Sequence, residues 1–348
     1  MPAGNANFSG KKDLMRVVTL EEHFAIPMVQ AGTTAPVSSN EDLPTVIRNV
    51  GGKIADLGAE RIADMDRNGI TVQVLSKAGA HMGPNADAFE GKEATAYSRQ
   101  FNDAFAKKIA ERPDRFAAFA HLAVSIPEAA ADELERTVTQ YGFKGALING
   151  MIRGQFLDDA KFMPLFARAE KLDVPLYLHP GMPPENVRKA YYEGFPPKIN
   201  FALAAFAWGW HYETALHVMR LAVAGIFDKF PRLNVIIGHM GEGLPVMLAR
   251  CEHEFSTDVS YLSRPLSKII TDQVYITSAG FFTNPPFVAA LSTFGIDRLM
   301  FSVDYPYASN AEGRKFLDNI PLRGADLEKF AHGNADRLLK LKAHVPSP

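Results

Sequence analysis

The sequence predicts a single-domain α/β fold, a (β/α)8 barrel with long loops after its strands. Eight short β-branched or aromatic runs alternate with about eight longer amphipathic segments along the 348 residues, a pattern typical of parallel α/β folds. Several short runs, such as NVIIG at 234–238, are almost continuously apolar, as strands buried on both faces are. A doubly wound open sheet is the alternative, but no GxGxxG follows the first strand.

The elements follow in order along the chain. The predicted strands cover residues 16–20, 71–76, 116–122, 144–148, 175–178, 233–238, 274–277 and 299–303. The predicted helices cover residues 54–68, 90–112, 127–141, 161–172, 214–230, 244–255, 286–294 and 326–341. We expect an N-terminal extension at 1–15, the barrel at 16–342 and a tail at 343–348. Two long loops, 30–52 and a proline-stiffened 180–200, follow strands and are expected to shape a site.

The composition excludes several classes of protein. With 47% apolar and 22% charged residues, the chain is neither disordered nor fibrous. A net charge of −2 gives no reason to expect a nucleic-acid or anionic-membrane partner. The apolar stretch at 201–210 is too short to span a bilayer, and no signal-peptide pattern opens the chain. The single cysteine, Cys251, cannot form an internal disulfide. We therefore expect a cytoplasmic enzyme.

Acidic and histidine side chains follow four of the predicted strands at their C-terminal ends. They are Glu21 and His23 after the first strand, His179 after the fifth, His239 with Glu242 after the sixth, and Asp304 after the eighth. Active sites of barrels are built at this face, so these residues should converge. Imidazoles and carboxylates together can hold one divalent cation, and such a mixed set suits zinc or manganese. By alternation along a strand, Glu22 should face away from Glu21 and serve the structure.

Other candidate residues are less well placed. Cys251 and His253 lie two apart in a helical pattern and should face different directions. His211 and His217 lie within or beside a helix, where a structural role is expected, and His121 should be a core or supporting residue. His81, in the loop after the second strand, stays an open candidate. No G-x-S-x-G elbow or P-loop is present, so serine hydrolase and NTPase functions have no support.

Four segments together resemble the amidohydrolase superfamily: TLEEHFAIP, YLHP, IIGHMGEGLP and FSVDYPY. Within it, the sequence is similar to the metal-dependent non-oxidative decarboxylases that act on γ-resorcylate, 5-carboxyvanillate and aminocarboxymuconate semialdehyde. The similarity extends from residue 16 to 341. It implies that one divalent metal ion, Mn²⁺ or Zn²⁺, is held by Glu21, His23, His179 and Asp304. It also implies a homodimer or homotetramer.

The resemblance also implies roles for residues around the metal. His239 would be the catalytic histidine, oriented by Glu242, while Arg250, possibly near a subunit contact, and Tyr307 would contact the substrate. The implied reaction is loss of CO2 from an aromatic acid with an ortho-hydroxyl group, after protonation of the ring carbon. Asp304 would give the proton with the help of His239, although the reverse assignment is open. Lys77 is a second cation that could attract the anionic substrate.

Three segments at the expected mouth of the barrel depart from these relatives: 30–52, 76–81 and 149–153. The identity of the aromatic acid is therefore open. Three other functions also stay open from the sequence. They are hydrolysis of a lactone or amide with a metal-activated water, hydration of an unsaturated dicarboxylate, and ligand binding without turnover.

Overall fold

The computed structural model describes residues 15–26, 44–48, 50–79 and 86–341. Within this part of the chain, eight strands alternate with helices. The strands are β1 Val18–Phe24, β2 Val72–Lys77, β3 Phe116–Ala118, β4 Ala146–Asn149, β5 Leu176–His179, β6 Val235–Ile237, β7 Val274–Thr277 and β8 Leu299–Met300. The helices are α1 Thr45–Arg48, α2 Ala59–Arg67, α3 Gly91–Ala110, α4 Pro127–Tyr141, α5 Met163–Leu172, α6 Glu185–Tyr191, α7 Pro197–Ala204, α8 Gly209–Val223, α9 Ile226–Lys229, α10 Leu244–Phe255, α11 Leu266–Gln273, α12 Asn284–Phe294, α13 Asn310–Asn319, α14 Gly324–Glu328 and α15 Asn334–Leu339.

All strand pairs are parallel and join neighbours in sequence order. One set of ladders runs β1-β2-β3 and a second runs β4-β5-β6-β7-β8. A single bridge between Ala120 and Ala146 connects the two. No ladder joins β8 to β1 in the described residues. There the Glu22 carboxylate accepts hydrogen bonds from the backbone N–H groups of Val303 and Tyr305. The backbone N–H of His23 donates to the Tyr305 carbonyl at 2.7 Å.

The interior of the barrel is one apolar cluster to which every strand or its direct continuation contributes. Its members include Val18, Leu20, Val72, Val74, Phe119, Leu147, Tyr177, Ile236, Tyr275 and Met300. The alternate residues of the same strands, such as Leu176, Leu178, Val235 and Ile237, pack outward with the helices in a second, larger cluster. Alternation of this kind is what a filled barrel requires. The predicted fold class is confirmed.

Three local features differ from expectation. β1 runs on to Phe24, so Glu21 and His23 lie inside the strand and not after it. The segment 180–200 carries α6 and the start of α7, because Pro184 and Pro196 precede these helices and Pro197 occupies the first turn, where proline loses no hydrogen bond. The helix predicted at 214–230 begins at residue 209 and is broken by Gly225, whose φ of 72° ends α8.

Some expectations fall on residues outside the described ranges. Most of the 30–52 loop, His81 and the proposed C-terminal tail are among them, as is nearly all of the proposed N-terminal extension. Among the described helices, none combines the length and apolar character needed to cross a membrane.

Candidate metal and proton-transfer site

Glu21 reaches the top of the barrel through an irregularity in β1. The β1–β2 register shifts between Thr19 and Glu22, and Glu21 has a left-handed φ of 60°. Its side chain is fully buried and lies against Gly238, where a Cβ atom would come within 2.3 Å of Glu21 Oε2. The Tyr177 hydroxyl donates to Oε2, while Oε1 has no hydrogen-bond partner in the described structure. The backbone therefore presents one free carboxylate oxygen to the site.

Glu22 turns the other way and ties β1 to the segment after β8. Its carboxylate accepts the N–H groups of Val303 at 2.9 Å and Tyr305 at 3.1 Å. These two residues flank Asp304, which itself has a left-handed φ of 71°. Burial raises the pKa of Glu22 to about 8. The side chain lies where a structural role was expected, and it fixes the position of Asp304.

His23 and His179 present bare ring nitrogens to the same point. His179 Nδ1 donates to the Pro180 carbonyl at 2.7 Å, which leaves its Nε2 facing Glu21 Oε1 at 3.3 Å. His23 Nε2 is buried and has no hydrogen-bond partner in the described residues. Burial lowers the pKa of His23 to about 3 and that of His179 well below its usual value. Both rings are thus neutral, as metal-ligating imidazoles are.

Asp304 completes this group, which we call the ligand cluster (Glu21, His23, His179 and Asp304). Its Oδ1 lies 3.0 Å from His23 Nε2 but not in the geometry of a hydrogen bond, and its Oδ2 lies 4.0 Å from His239 Nε2. Burial raises the pKa of Asp304 to about 7 and that of Glu21 to about 8. A cation at the centre of the cluster would favour the ionised form of both carboxylates.

The ligand cluster fits a divalent metal ion on its own geometry. Ligand atoms of Glu21, His23 and His179 all lie within 4.8 Å of one another. Two of the buried side-chain atoms that lack a hydrogen-bond partner in the described structure, Glu21 Oε1 and His23 Nε2, belong to this group. Unpaired buried polar atoms are costly and uncommon in native proteins. Two imidazole nitrogens with carboxylate oxygens form a donor set typical of zinc or manganese sites.

Beside the ligand cluster stands a second buried group, the histidine–glutamate triad (His239, Glu242 and His211). Glu242 Oε1 lies 2.7 Å from His239 Nδ1, and Oε2 lies 2.5 Å from His211 Nδ1. Burial opposes charging of His239, but the carboxylates of Glu242 and Glu21 raise its pKa to about 10. Burial likewise opposes ionisation of Glu242, and His239 and His211 lower its pKa to about 2. The pair of His239 and Glu242 is therefore an ion pair.

A cavity of about 550 Å³ opens above both groups. His23, His179, His239, His211 and Asp304 lie on its floor, and its walls are largely apolar, with Met151, Met182, Phe201, Phe206, Trp210 and Phe281. Tyr307 also lines it, with its ring 5.3 Å from that of His23. Asn149 lines the wall with a buried Oδ1 that has no described hydrogen-bond partner. A flat apolar ring with polar groups on one edge suits this space.

The structure brings together every predicted metal-site residue, together with His239, Glu242 and Tyr307. It does not bring Arg250 into the cavity of its own chain: that side chain is 67% exposed on α10 and pairs with Glu254. Lys77 is buried and donates to the Ala78 carbonyl beside the ring of Phe101, away from the cavity lining.

Sequence reasoning missed one polar residue of the cavity. His211 was expected to have a structural role, because it lies within or beside a predicted helix, the one given the range 214–230. In the structure α8 begins at Gly209, and this earlier start turns His211 toward Glu242. The sequence signal was the position of His211 in the WGWHYE segment, an aromatic-rich run that supplies the cavity wall. His217, two turns along α8, is structural: its Nε2 accepts the Leu157 N–H at 3.0 Å.

Comparisons with known proteins identify the family of the chain. The amidohydrolase family model matches residues 43–341. Decarboxylase orsB of Emericella nidulans is 36% identical over 93% of this chain and 97% of its own. Gamma-resorcylate decarboxylase of Rhizobium sp. is 35% identical over 93% of this chain and 98% of its own.

A crystal structure from Polaromonas sp. extends the comparison to three dimensions. It is a dihydroxybenzoic acid decarboxylase with bound manganese and the inhibitor 2-nitroresorcinol. It superposes with a TM-score of 0.83 at 32% identity, covering 94% of this chain and 97% of that one. The similarity to aromatic acid decarboxylases expected from the motifs is thereby confirmed, and with it the enzyme class, a carboxy-lyase. The chain belongs to the amidohydrolase family, in its decarboxylase branch.

Proposed function

We propose that the protein is a metal-dependent, non-oxidative decarboxylase of an aromatic carboxylic acid with an ortho-hydroxyl group. One observation carries this proposal: the unpartnered buried atoms of Glu21 and His23 belong to one cluster with Asp304, and His23 and Asp304 line an aromatic-walled cavity. The relatives that act on γ-resorcylate and dihydroxybenzoate support the substrate class. Mn²⁺ is the preferred metal on the same support, and Zn²⁺ is the alternative.

The chemistry explains why these groups are needed. Direct loss of CO2 from an arene would leave a high-energy carbanion in the ring plane. Protonation of the carboxyl-bearing carbon avoids it, because the ortho oxygen then becomes a carbonyl. Cleavage of the bond to the carboxylate releases CO2 and restores the aromatic ring. The proton ends on the ring carbon, and the electron pair of the broken bond returns to the ring.

The residues have separate parts in this sequence. Glu21, His23, His179 and Asp304 would hold the metal, which supplies positive charge that attracts the carboxylate and favours an ionised phenol. Asp304 takes a proton from protonated His239, whose Nε2 lies 4.0 Å from Asp304 Oδ2, and delivers it to the ring carbon. Tyr307 and the aromatic walls hold the ring, and Asn149 Oδ1 is available to a substrate hydroxyl group.

A panel of hydroxybenzoates tests the proposal. The protein is loaded with Mn²⁺ or Zn²⁺, and CO2 and the phenol product are followed together. We expect equal amounts of CO2 and phenol from ortho-hydroxybenzoates. Both products should be lost on chelation and should be absent with the matched meta-hydroxy isomers. No CO2 from any arene, with tight metal binding intact, would overturn the proposal and make lactones the next substrates.

Arg250 is proposed to contact the substrate of a second copy of the chain in a homodimer or homotetramer. It shares α10 with exposed Val246 and Met247. This apolar surface continues onto α8, because Tyr212 packs against Gly243 at the start of α10 and exposed Trp208 packs on Tyr212. An arginine on such a face can bind a carboxylate across the interface. The cytoplasmic location expected from the sequence stays a prediction.

Complementation between two inactive variants tests the Arg250 proposal. Arg250→Ala and Asp304→Asn would each be inactive alone. When dimers are reassembled from equal amounts of the two variants, half of them are mixed. Each mixed dimer has one site in which both Arg250 and Asp304 are intact. About a quarter of wild-type activity is then expected. Failure of the mixture to regain activity, with mixed dimers present by mass spectrometry, would place Arg250 outside the site.

A further inference from the structure

His211 occupies a position that the reaction scheme does not use. It lies in the first turn of α8, is 6% exposed and lines the cavity. Its Nδ1 lies 2.5 Å from Glu242 Oε2, on the oxygen that His239 leaves free. The two imidazoles thus share one carboxylate, and their ring centroids are 4.7 Å apart.

The Glu242 carboxylate depends on both imidazoles. The Glu242 side chain is 1% exposed, and its hydrogen bonds in the described structure are those with His239 and His211. A buried carboxylate oxygen without a hydrogen-bond donor is strongly unfavourable. The χ angles of Glu242 can rotate, so the donor on Oε2 decides where Oε1 points. The orientation of His239 therefore follows from that of His211.

His211 is itself held on its other side. Its Nε2 lies 2.9 Å from the Phe206 carbonyl and 3.3 Å from Trp210 Nε1. Its ring packs edge-on against Phe281 at 5.4 Å. The turn before α8 is compact, since a Cβ atom on Gly209 would meet the Ala204 carbonyl at 2.5 Å. The backbone before α8 therefore holds the His211 imidazole in place independently of its contact with Glu242.

We propose that His211 is a positioning residue for His239. By anchoring Glu242 Oε2, it keeps Oε1 on His239 Nδ1 and so directs His239 Nε2 toward Glu21 Oε1, 3.6 Å away, and Asp304 Oδ2, 4.0 Å away. The inference deepens the proposed decarboxylation and rests on it for its catalytic part. Its structural part, the shared carboxylate, holds for any reaction at this site.

Two substitutions distinguish the positioning role of His211 from the effect of its size. His211→Asn keeps a neutral donor near the place of Nδ1, whereas His211→Phe keeps a ring and removes the donor. The Phe variant is expected to lower kcat about 10–100-fold, as loss of a supporting hydrogen bond does. We expect KM to change less than about threefold and metal content to stay at the wild-type value. The Asn variant should recover most of kcat.

A matched control lies on the same helix. His217→Gln alters a buried imidazole that accepts the Leu157 N–H and, in the described structure, has no hydrogen bond with Glu242. It should leave kcat within about twofold of wild type even if it lowers the melting temperature. Equal kcat for wild type and a folded His211→Phe variant would overturn the positioning role.

Proton NMR of protein with ¹⁵N-labelled histidine provides a readout independent of turnover. Two strongly deshielded Nδ1–H signals are expected in the wild type, one from each imidazole on Glu242. His211→Asn should remove one and leave the other, and His211→Phe should move or broaden the remaining His239 signal. An unmoved His239 signal in the Phe variant would overturn the inference. If no arene is decarboxylated, the proposed reaction fails, and these signals still decide the link between the three residues.

Discussion

Two groups of histidines and acids lie beneath one cavity, and they differ in how their polar atoms are satisfied. In the ligand cluster, Glu21 Oε1 and His23 Nε2 are buried and lack hydrogen-bond partners within the described chain. In the histidine–glutamate triad, both oxygens of Glu242 and the Nδ1 atoms of both imidazoles are paired. The first group therefore has donor atoms available to a cation, whereas the polar atoms of the second are satisfied by the protein itself.

The same contrast decides the direction of the pKa shifts. Burial lowers the pKa of His23 to about 3, but the carboxylates around His239 outweigh burial and raise its pKa to about 10. Burial raises the pKa of Glu21 to about 8, whereas the imidazoles around Glu242 lower its pKa to about 2. Equal burial thus gives neutral ligands in one group and an ion pair in the other, because the neighbouring charges differ.

The largest effect is expected at Asp304, the residue where the two groups meet. Asp304→Asn keeps the shape of the side chain but removes the acidic proton and one anionic oxygen. We expect kcat to fall at least about 10³-fold, toward the upper range of a general acid, with the melting temperature within a few degrees. Steady-state assay of CO2 release measures it. A variant that decarboxylates normally would refute the mechanism.

His239→Gln should have the next largest effect. It keeps a polar group of similar length but cannot exchange a proton near neutral pH, so a drop in kcat of about 10²-fold is expected. Because His239 belongs to the triad, bound metal per chain should not change. If instead metal is lost along with activity, the division of the floor into two groups is wrong.

The smallest effect concerns stability and pH at His217, away from the reaction. Burial lowers its pKa from 6.5 to about 4, so the unfolded chain binds the proton first as pH falls. Stability should therefore decline between pH 6.5 and 4, by at most about 3 kcal/mol from this group. Urea unfolding of wild type and His217→Gln at pH 7.5 and 4.5 measures it. The wild type should lose more stability than His217→Gln between these two pH values. Equal losses would show that His217 is not the source of the decline.

Much of the fold could be predicted because strand and helix periods are local properties. The apolar runs located all eight strands, and the polar residues predicted at their ends come together in one candidate site. The irregularity at Glu21 could not be predicted, since a left-handed residue inside a strand depends on its neighbours, here Gly238 and Tyr177. Glu21 and His23 do meet, but along a strand that is not regular.

His211 and Arg250 show two further limits of prediction from the sequence. His211 enters the cavity because α8 begins five residues earlier than its apolar period indicated, and that start depends on the contact between Gly209 and Ala204. Arg250 lies on an exposed face, so its role depends on what covers that face, which a single chain does not specify.

The division of the cavity floor is tested most directly by metal content in two isosteric variants. Glu21→Gln and Glu242→Gln each replace a fully buried carboxylate by an amide, and both are loaded with Mn²⁺, dialysed and assayed by elemental analysis. We predict that Glu21→Gln loses most of its bound metal while Glu242→Gln keeps about one ion per chain and loses turnover. Retention of metal by Glu21→Gln, or its loss from a folded Glu242→Gln variant, would contradict the account.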